Sequence, residues 1–362
     1  MVDDARWMRR AIEHARRGLG RTAPNPLVGA CVVSDDGVVV GQGAHERAGE
    51  AHAEVHALDE AGDAARGATL YCTLEPCAHT GRTGPCTERV IAAGIRRVVA
   101  AMEDPFPLVQ GRGFAALRAR GIDVEVGVEH EAALRLNQPY LSAVRTGRPF
   151  VTLKAATSLD GRIAAAPGRR TQLTSLPAIR HAHSVRAQVD AVAVGSGTVL
   201  VDDPMLTVRE VYRERPLTRV VFDRRLRVPP TARLFSTLSA GPVIILTSMQ
   251  ALRDNGAVGD GLRATGATVL ATERDDLQAG LERLGSLGIQ SVMLEGGAAL
   301  HAAAWDDGVV DAVQLYVAPV TLGAEGVPLL DGRNFVSTAL VERRVDLLGP
   351  DVLIEGYVHR PH

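Results

Sequence analysis

Four residues in the N-terminal third of the chain form a set that can do metal-assisted chemistry. His52 and Glu54 lie two positions apart at the start of a predicted helix, and Cys77 and Cys86 each follow a proline. One imidazole and two thiolates can supply three of the four tetrahedral ligands of zinc, which leaves one position for water. Bound zinc lowers the pKa of that water, so that hydroxide is available near neutral pH. The set therefore predicts a catalytic zinc site with His52, Cys77 and Cys86 as ligands.

Glu54 is the natural proton carrier of this set. Attack of water on a ring carbon that bears an amino group needs a proton taken from water and returned to the leaving nitrogen. Zinc deaminases carry His-x-Glu followed by Pro-Cys-x-x-Cys, with the glutamate outside the metal ligands, whereas eight residues separate the two cysteines here. His52 and His56 also have the spacing of His-Glu-x-x-His proteases, but Ala53 stands where that motif needs glutamate. The set favours a hydrolytic deaminase.

The elements around this set alternate between strands and helices. Asp-Asp-Gly at 35–37 is a hairpin signal between two strand patterns, and Gly94 is a helix stop. Such an alternation indicates a layered α/β domain. The predicted elements are helices at 5–17, 52–62 and 85–93 and strands at 27–33, 37–43, 68–73 and 95–101.

A polar stretch at 145–149 precedes a new strand pattern and marks a domain boundary. The second half repeats the α/β alternation without an internal sequence repeat, so we expect two different α/β domains, at 1–146 and 147–362. The predicted elements of the second half are strands at 150–155, 190–194, 218–223, 242–247, 267–270, 290–294 and 311–317 and helices at 176–188, 276–287 and 298–305.

Composition and net charge argue against several classes of protein. The 362 residues are 46% hydrophobic and 23% charged, and 42 acidic against 40 basic side chains give a net charge of −2. This balance argues against a general nucleic-acid binder, which carries a basic excess. No apolar run approaches the roughly 18 residues of a membrane span. The N-terminus is too polar for a secretory signal. The four cysteines do not suggest a disulfide scaffold. We therefore expect a cytoplasmic protein with no nucleic-acid or membrane partner.

The motifs of the first half resemble those of the bifunctional riboflavin-biosynthesis deaminase/reductases. The shared strings are His-Ala-Glu-Val-His-Ala-Leu at 52–58, Thr-Leu-Glu-Pro-Cys at 73–77, Gly-Arg-Thr-Gly-Pro-Cys at 81–86 and Pro-Asn-Pro-Leu-Val-Gly at 24–29. The long spacing between the cysteines belongs to that family. The resemblance implies a cytidine-deaminase-like three-layer domain in which Asn25, His45, His79 and Arg82 hold the pyrimidine or its ribose phosphate. A solvated-loop role for Arg82 is the alternative.

The resemblance extends through the second half and implies an NADPH-dependent reductase domain with a dihydrofolate-reductase-like α/β fold. Lys154, the one lysine among 40 basic residues, interrupts an apolar strand, and its charge could orient a sugar hydroxyl or a developing alkoxide. The alternative is an ion pair between Lys154 and Asp160. The family pattern assigns Arg186, Leu206, Arg209 and Glu295 to the substrate, with Arg186 on its phosphate, and Ala156, Thr198, Asp202 and Gly297 to the cofactor.

One segment departs from the family pattern. Where the family has Ser-x-Trp-Ile-Thr-Ser, this chain has Arg-Thr-Gln-Leu-Thr-Ser at 170–175. Arg170 then stands at a substrate position and Gln172 at the position of an aromatic residue that packs on the cofactor. This departure motivates the main alternative, a zinc deaminase whose second domain is not catalytic.

The resemblance as a whole implies a substrate, two reactions and two cofactors. The chain would deaminate 2,5-diamino-6-ribosylamino-4(3H)-pyrimidinone 5′-phosphate with Zn²⁺ and then reduce the ribosyl chain to ribityl with NADPH. A nucleic-acid-editing deaminase is disfavoured by the mild net charge. A purely structural zinc site is disfavoured because it would want a fourth protein ligand. A homo-oligomer stays open, since members of this family often assemble.

Overall fold

The computed structural model describes residues 3–78, 84–333 and 335–360, and the chain divides into two compact units. The first unit contains the chain up to Thr146 and the second contains Gly147–Arg360. Each unit has its own sheet and its own buried apolar side chains. The prediction of α/β folds in both halves is confirmed.

The first unit is built on a five-stranded mixed sheet. Its strand order is β2-β1-β3-β4-β5, with β1 antiparallel to both neighbours and β3, β4 and β5 parallel. Its elements are α1 (Asp4–Ala15), a 3₁₀ turn (Arg16–Gly18), β1 (Gly29–Val33), β2 (Val39–Ala44), α2 (Ala53–Ala61), a 3₁₀ turn (Gly62–Ala65), β3 (Thr69–Cys72), α3 (Cys86–Ala92), β4 (Arg97–Ala100), α4 (Arg112–Arg118), β5 (Asp123–Val126), α5 (His130–Leu136) and α6 (Gln138–Thr146).

Glycines on β2 set the distance between this sheet and α2. A Cβ atom on Gly41 would lie 2.1 Å from the carbonyl oxygen of Ala57, and one on Gly43 would lie 2.3 Å from that of Ala53. Only a residue without a side chain permits this approach. The backbone of α2 therefore packs directly on the strand, and this contact fixes the helix that begins just after His52.

The second unit is built on a nine-stranded sheet. Its order is β11-β10-β9-β8-β12-β6-β13-β16-β15, parallel from β11 through β13 and antiparallel at β16 and β15. The strands are β6 (Phe150–Thr157), β7 (Arg162–Ala164), β8 (Ala191–Gly195), β9 (Thr218–Phe222), β10 (Val243–Ser248), β11 (Thr268–Thr272), β12 (Ser291–Leu294), β13 (Ala312–Val317), β14 (Val327–Pro328), β15 (Val341–Leu348) and β16 (Asp351–Tyr357). Strands β7 and β14 form a separate small sheet.

Helices of the second unit connect these strands. They are α7 (Leu176–Arg186), α8 (Ser196–Asp202), α9 (Met249–Asp254), α10 (Gly256–Ala264), α11 (Leu277–Gly285) and α12 (Ala298–Asp306), with 3₁₀ turns at Arg233–Ala240 and Ser337–Ala339. In parallel sheets the carboxyl ends of the strands meet at one edge, where ligands bind. Every helix among the described residues is too short or too polar to cross a lipid bilayer.

The prediction from the sequence missed several helices and strands. The hairpin of β15 and β16 was not predicted, because β15 is almost wholly exposed and its charged sequence lacks the apolar pattern of a buried strand. The short helices α4, α5, α6, α8, α9 and α10 and the strands β5, β7 and β14 were also missed.

Candidate functional site

The structure brings His52, Cys77 and Cys86 together in the first unit. His52 immediately precedes α2, Cys77 lies in the loop after β3, and Cys86 is the first residue of α3. Their donor atoms all lie within 4.8 Å of one another. Nδ1 of His52 is 3.1 Å from Sγ of Cys86 and 3.6 Å from Sγ of Cys77. One nitrogen and two sulfurs at this spacing fit zinc. Among the described residues, these three make up the whole group.

The two thiols of this cluster differ in acidity. Contact with the Cys86 thiol and with His52 lowers the pKa of Cys77 to about 4, and the backbone N–H of Cys86 donates to its sulfur at 3.4 Å. The contact with Cys77 and burial raise the pKa of Cys86. Contact with Cys77 also raises the pKa of His52. One thiolate is therefore available for metal binding at neutral pH, because thiolates rather than thiols are ligands.

Glu54 lies in the first turn of α2, and only 3% of it is exposed. Burial raises the pKa of its carboxyl group, while the charge of His52 opposes that rise. A carboxyl group in such surroundings holds a proton more readily than one in water. Glu54 is therefore suited to accept and release protons next to the cluster.

Asn25 and His45 contact each other beside the cluster. Nδ2 of Asn25 donates to Nε2 of His45 at 3.0 Å, and Nδ1 of His45 lies 3.1 Å from the carbonyl oxygen of Ala51. This pair of contacts places the ring proton on Nδ1. The His45 ring meets the His52 ring edge-on, with 5.4 Å between centroids. Two further predicted substrate residues, His79 and Arg82, lie outside the described residues.

Glu75 is a residue of this region to which the sequence analysis gave no role. Its buried carboxylate accepts four backbone N–H groups, from Asp104 at 3.3 Å, Gly111 at 2.9 Å, Gly113 at 2.8 Å and Phe114 at 3.3 Å. These bonds attach the loop before α4 and the first turn of α4 to the Glu-Pro-Cys segment that carries Cys77. The signal that could have found it was the acidic residue directly before Pro-Cys in an otherwise apolar stretch.

The second unit contains a cavity of about 1510 Å³ at the carboxyl ends of its parallel strands. The pockets that hold small ligands commonly measure about 300–1,000 Å³, so this one has room for a dinucleotide and a substrate together. Ten of the predicted site residues line it: Lys154, Ala156, Arg170, Arg186, Thr198, Asp202, Leu206, Arg209, Glu295 and Gly297. Gln172 is not among the lining residues, and its side-chain amide donates to the carbonyl oxygen of Thr174 at 3.1 Å.

A pair of charged side chains forms the polar centre of the cavity. Nε and Nη2 of Arg186 donate to the two carboxylate oxygens of Glu295 at 2.9 and 2.7 Å, and Nη1 donates to the carbonyl oxygen of Thr207 at 2.8 Å. Nζ of Lys154 lies 3.9 Å from Glu295 Oε2. The alternative pairing of Lys154 with Asp160 is wrong, because Asp160 instead accepts from Ser158 and from backbone N–H groups of a nearby loop.

Two buried histidines that the sequence analysis did not identify support this centre. The backbone N–H of Gly296 donates to Nε2 of His301 at 3.0 Å, and Nη2 of Arg209 lies 3.0 Å from Nε2 of His183. Burial, aided by neighbouring cations, lowers the pKa of each histidine to about 4. Both rings are therefore neutral at pH 7 and can accept hydrogen bonds.

The residues of the cavity fit a dinucleotide cofactor. Gly297 precedes the first residue of α12, so the amides of the first turn of that helix are exposed to an anion there. A Cβ atom on Gly297 would have only Thr198 Oγ1 nearby, at 3.9 Å, so the backbone is open on that side. Thr198 and Asp202 come from α8, and both line the same cavity.

Comparisons with known proteins agree with this geometry. Residues 1–102 match the cytidine and deoxycytidylate deaminase zinc-binding region, and residues 149–354 match the RibD C-terminal domain. The chain is 43% identical to the riboflavin biosynthesis protein RibD of Bacillus amyloliquefaciens over 96% of this chain and 94% of that protein. It is 41% identical to RibD of Escherichia coli K12, over 98% and 99%.

Two solved structures are also similar to this chain over nearly its whole length. Acinetobacter baumannii RibD superposes with a TM-score of 0.86 at 37% identity over 98% of both chains. A diaminohydroxyphosphoribosylaminopyrimidine deaminase/5-amino-6-(5-phosphoribosylamino)uracil reductase from Thermotoga maritima superposes with a TM-score of 0.84 at 33% identity, again over 98% of both chains.

Proposed function

The chain belongs to the RibD family of bifunctional deaminase/reductases of riboflavin biosynthesis, and on that premise we propose the substrate and the residues that act on it. The substrate is 2,5-diamino-6-ribosylamino-4(3H)-pyrimidinone 5′-phosphate. The domain at 1–146 removes an amino group from its ring by hydrolysis. The domain at 147–362 then reduces the ribosyl chain and gives 5-amino-6-ribitylaminouracil 5′-phosphate. The observation that carries this proposal is the His52, Cys77 and Cys86 cluster beside the buried Glu54.

The deamination depends on a proton that Glu54 moves. His52, Cys77 and Cys86 would hold zinc, and the bound ion would supply the Lewis acidity that makes water a nucleophile near neutral pH. Glu54 takes a proton from the attacking water and returns it to the leaving nitrogen, which then departs as ammonia. Its burial excludes bulk water from this exchange.

Asn25 and His45 orient the substrate of the deaminase. The hydrogen bond from Asn25 to His45 consumes only one of the two amide donors and leaves the amide oxygen of Asn25 for the pyrimidine edge. His45 stays neutral because burial lowers its pKa. His79 and Arg82 complete this proposed set on the ribose phosphate side.

The reductase chemistry centres on Lys154 and Glu295. NADPH, when bound, supplies the hydride. The Lys154 ammonium group stabilises negative charge on the sugar oxygen, and Glu295 accepts hydrogen bonds from substrate hydroxyls. The family pattern assigns Arg186 to the substrate phosphate, but Glu295 and Thr207 occupy its guanidinium group. We therefore propose that Arg186 acts on the substrate through Glu295, by holding that carboxylate in place. Arg209, with Arg170, then binds the substrate phosphate, and Leu206 packs against the substrate.

Ala156, Thr198, Asp202 and Gly297, which line the cavity, would hold the cofactor. Burial raises the pKa of Asp202, and the helix start after Gly297 attracts the diphosphate. Gln172 stands near the cofactor position that an aromatic residue fills in the family. The chain acts in the cytoplasm, where its four cysteines, all of them buried and none of them in a disulfide, stay reduced. A homo-oligomer is its proposed assembly.

Mass spectrometry of the products tests both activities in one experiment. Zinc-loaded protein and the diaminopyrimidine substrate should give the deaminated product alone, and adding NADPH should give the ribityl product. Deamination without any effect of NADPH would favour the alternative of a non-catalytic second domain. If a zinc-loaded sample forms neither product, the proposed substrate is wrong.

A further inference from the structure

A buried asparagine between two helices of the first unit bonds a segment that is distant in sequence. Asn137 lies between α5 and α6, and only 1% of it is exposed. Its amide oxygen accepts the backbone N–H of Leu27 at 2.8 Å, and its amide nitrogen donates to the carbonyl oxygen of Leu27 at 2.9 Å. One side chain therefore pairs with both polar backbone groups of Leu27, as a residue of a neighbouring strand would.

The two helices hold Asn137 itself in place. Its backbone N–H donates to the carbonyl oxygens of Ala133 and Leu134 in α5 at 3.2 and 3.1 Å, and its carbonyl oxygen accepts the N–H of Leu141 in α6 at 2.9 Å. Leu134 and Leu141 belong to the buried apolar core of the unit. The amide of Asn137 is therefore fixed from both sides, independently of Leu27.

The segment that Asn137 bonds is the one that carries Asn25. Residues 23–28 belong to no helix or strand and directly precede β1. Only Pro26 separates Leu27 from Asn25. A proline ring fixes its own φ angle, and the residue before a proline is restricted mainly to extended conformations. This link is short and stiff, so the position of Leu27 determines that of Asn25.

His45 is attached to the same segment. Its backbone N–H donates to the carbonyl oxygen of Val28 at 2.8 Å, and its ring accepts from the Asn25 amide at 3.0 Å. The same ring meets the ring of His52 edge-on. A shift of the segment would therefore move Asn25 and His45 together relative to the metal ligands. Misplacing a substrate-positioning group by about 1 Å can cost a hundredfold in rate.

We infer that Asn137 is a positioning residue of the deaminase, which holds Asn25 and His45 where they orient the pyrimidine. This inference rests on the proposed roles of Asn25 and His45 in the first unit. Asn137 acts through Leu27, and both of its hydrogen bonds are needed. A residue that offers only one of them leaves a buried backbone group without a partner, which is costly.

Steady-state kinetics of the full-length protein tests the inference, with the reductase as an internal reference. In Asn137→Ala both hydrogen bonds to Leu27 are lost, and we expect the KM for the diamino substrate to rise by about tenfold. Zinc content and reduction of the deaminated substrate should stay at wild-type values. Asn25→Ala should raise the same KM. In the double variant the combined effect should fall short of the product of the two single effects, because the two residues act through one chain of contacts.

An Asn137→Asp variant separates positioning from a general loss of structure. A protonated carboxyl group can both donate and accept, like the amide, whereas an ionised one can only accept. The ratio of variant to wild-type kcat/KM for deamination should therefore be near one at low pH. It should fall as the pH rises through the pKa of the new carboxyl group, which burial raises. Loss of zinc in acid affects both proteins alike, so this ratio removes it.

The matched control is Asn255→Asp, an exposed change between α9 and α10. Its ratio to the wild type should not depend on pH for either reaction, and neither should the reduction ratio of Asn137→Asp. These two flat profiles would show that the pH dependence belongs to position 137 and to the deaminase.

Several results would overturn the inference. They are an unchanged KM in Asn137→Ala, a flat deamination ratio in Asn137→Asp, and single effects that multiply fully in the double variant. Loss of zinc in proportion to loss of activity would also overturn it, since Asn137 would then support the metal site instead. A wild-type KM in Asn25→Ala beside an impaired Asn137→Ala would contradict the proposed role of Asn25 alone. Absence of deamination by the zinc-loaded wild type would contradict the proposed substrate.

Discussion

Arg186 and Glu295, which lie 109 positions apart in the sequence, face each other with both guanidinium–carboxylate hydrogen bonds formed at 2.9 and 2.7 Å. Both side chains are largely buried in the cavity wall. Burial of a carboxylate raises its pKa, but the charges of Arg186 and Lys154 outweigh that effect, so the pKa of Glu295 is lowered. The carboxylate is therefore ionised wherever the enzyme works at neutral pH.

Removing the charge of Glu295 should affect the reductase and not the deaminase. In Glu295→Gln, we expect NADPH-dependent reduction to fall by at least about a hundredfold and the unfolding free energy to fall by about 3 kcal/mol, since Arg186 loses its buried partner. Product analysis with both the diamino and the deaminated substrate measures the first effect. Glu282→Gln on the exposed face of α11 is the control. Equal losses in both activities would contradict this assignment.

Replacing Glu54 should separate metal binding from catalysis. Glu54→Gln keeps the shape of the side chain but cannot accept a proton, so deamination should fall by about 10²–10⁴-fold. Zinc content, measured by atomic emission, should equal that of the wild type, because Glu54 is not in the ligand cluster. Glu88→Gln, an exposed change on α3, should leave both values unchanged. A deamination rate retained in Glu54→Gln would refute the proposed role.

Glu75 should control how firmly the first unit holds zinc. In Glu75→Gln, the amide nitrogen faces backbone donors in place of an acceptor oxygen, and we expect a loss of about 3 kcal/mol in stability. Because Glu75 is joined to Cys77 through Pro76, zinc should also dissociate faster from this variant, as measured by its capture by a chelating dye. Glu103→Gln, at an exposed position of the same region, is the control. Unchanged thermal unfolding and zinc release would show that the four hydrogen bonds do not support the metal site.

His301 should make the second unit less stable in acid. Its pKa is about 4 in the folded protein and about 6.5 when unfolded. The unfolded chain therefore binds a proton between these values that the folded chain does not, and stability is lost as the pH falls through this window. Between pH 7 and pH 4 the wild type should lose up to about 3 kcal/mol more than His301→Gln.

Fluorescence can measure this difference in the second unit alone. Trp305 lies on α12, the helix that carries His301, and the other tryptophan is Trp7 in the first unit. Urea unfolding followed in a Trp7→Phe background reports Trp305. His359→Gln, an exposed substitution, is the control. Parallel pH profiles for wild type and His301→Gln would show that His301 is not the group that titrates.

The sequence was most informative where the chemistry requires particular residue types at a fixed spacing. His52, Cys77 and Cys86 can be grouped from their residue types and spacing alone, because few functions other than metal binding explain that pattern. Buried strands such as β10 and β12 were also predictable, since each is a continuous apolar run. Their bounds differ from the predicted ones by one residue at most at each end.

Contacts between distant residues could not be predicted in this way. Nothing local to Lys154 indicates that its partner is Glu295 rather than the nearby Asp160, because the choice depends on β6 and β12 being neighbours in the sheet. Likewise, the four N–H groups that surround Glu75 belong to a loop and the first turn of α4, about 30 to 40 residues further along the chain. Strand β15 was missed for a related reason. It lies at the edge of the sheet beside β16 and is mostly exposed, so its sequence lacks the apolar pattern of a buried strand.

The packing of α2 on Gly41 and Gly43 has a consequence for how this gene can drift. Every glycine codon is one nucleotide change away from an alanine codon, so the smallest possible side chain can be introduced by a single mutation. At these two positions that methyl group would overlap the backbone of the helix that follows His52. Selection should therefore remove even this mildest of replacements, and the two positions should stay glycine in any population that depends on the zinc chemistry.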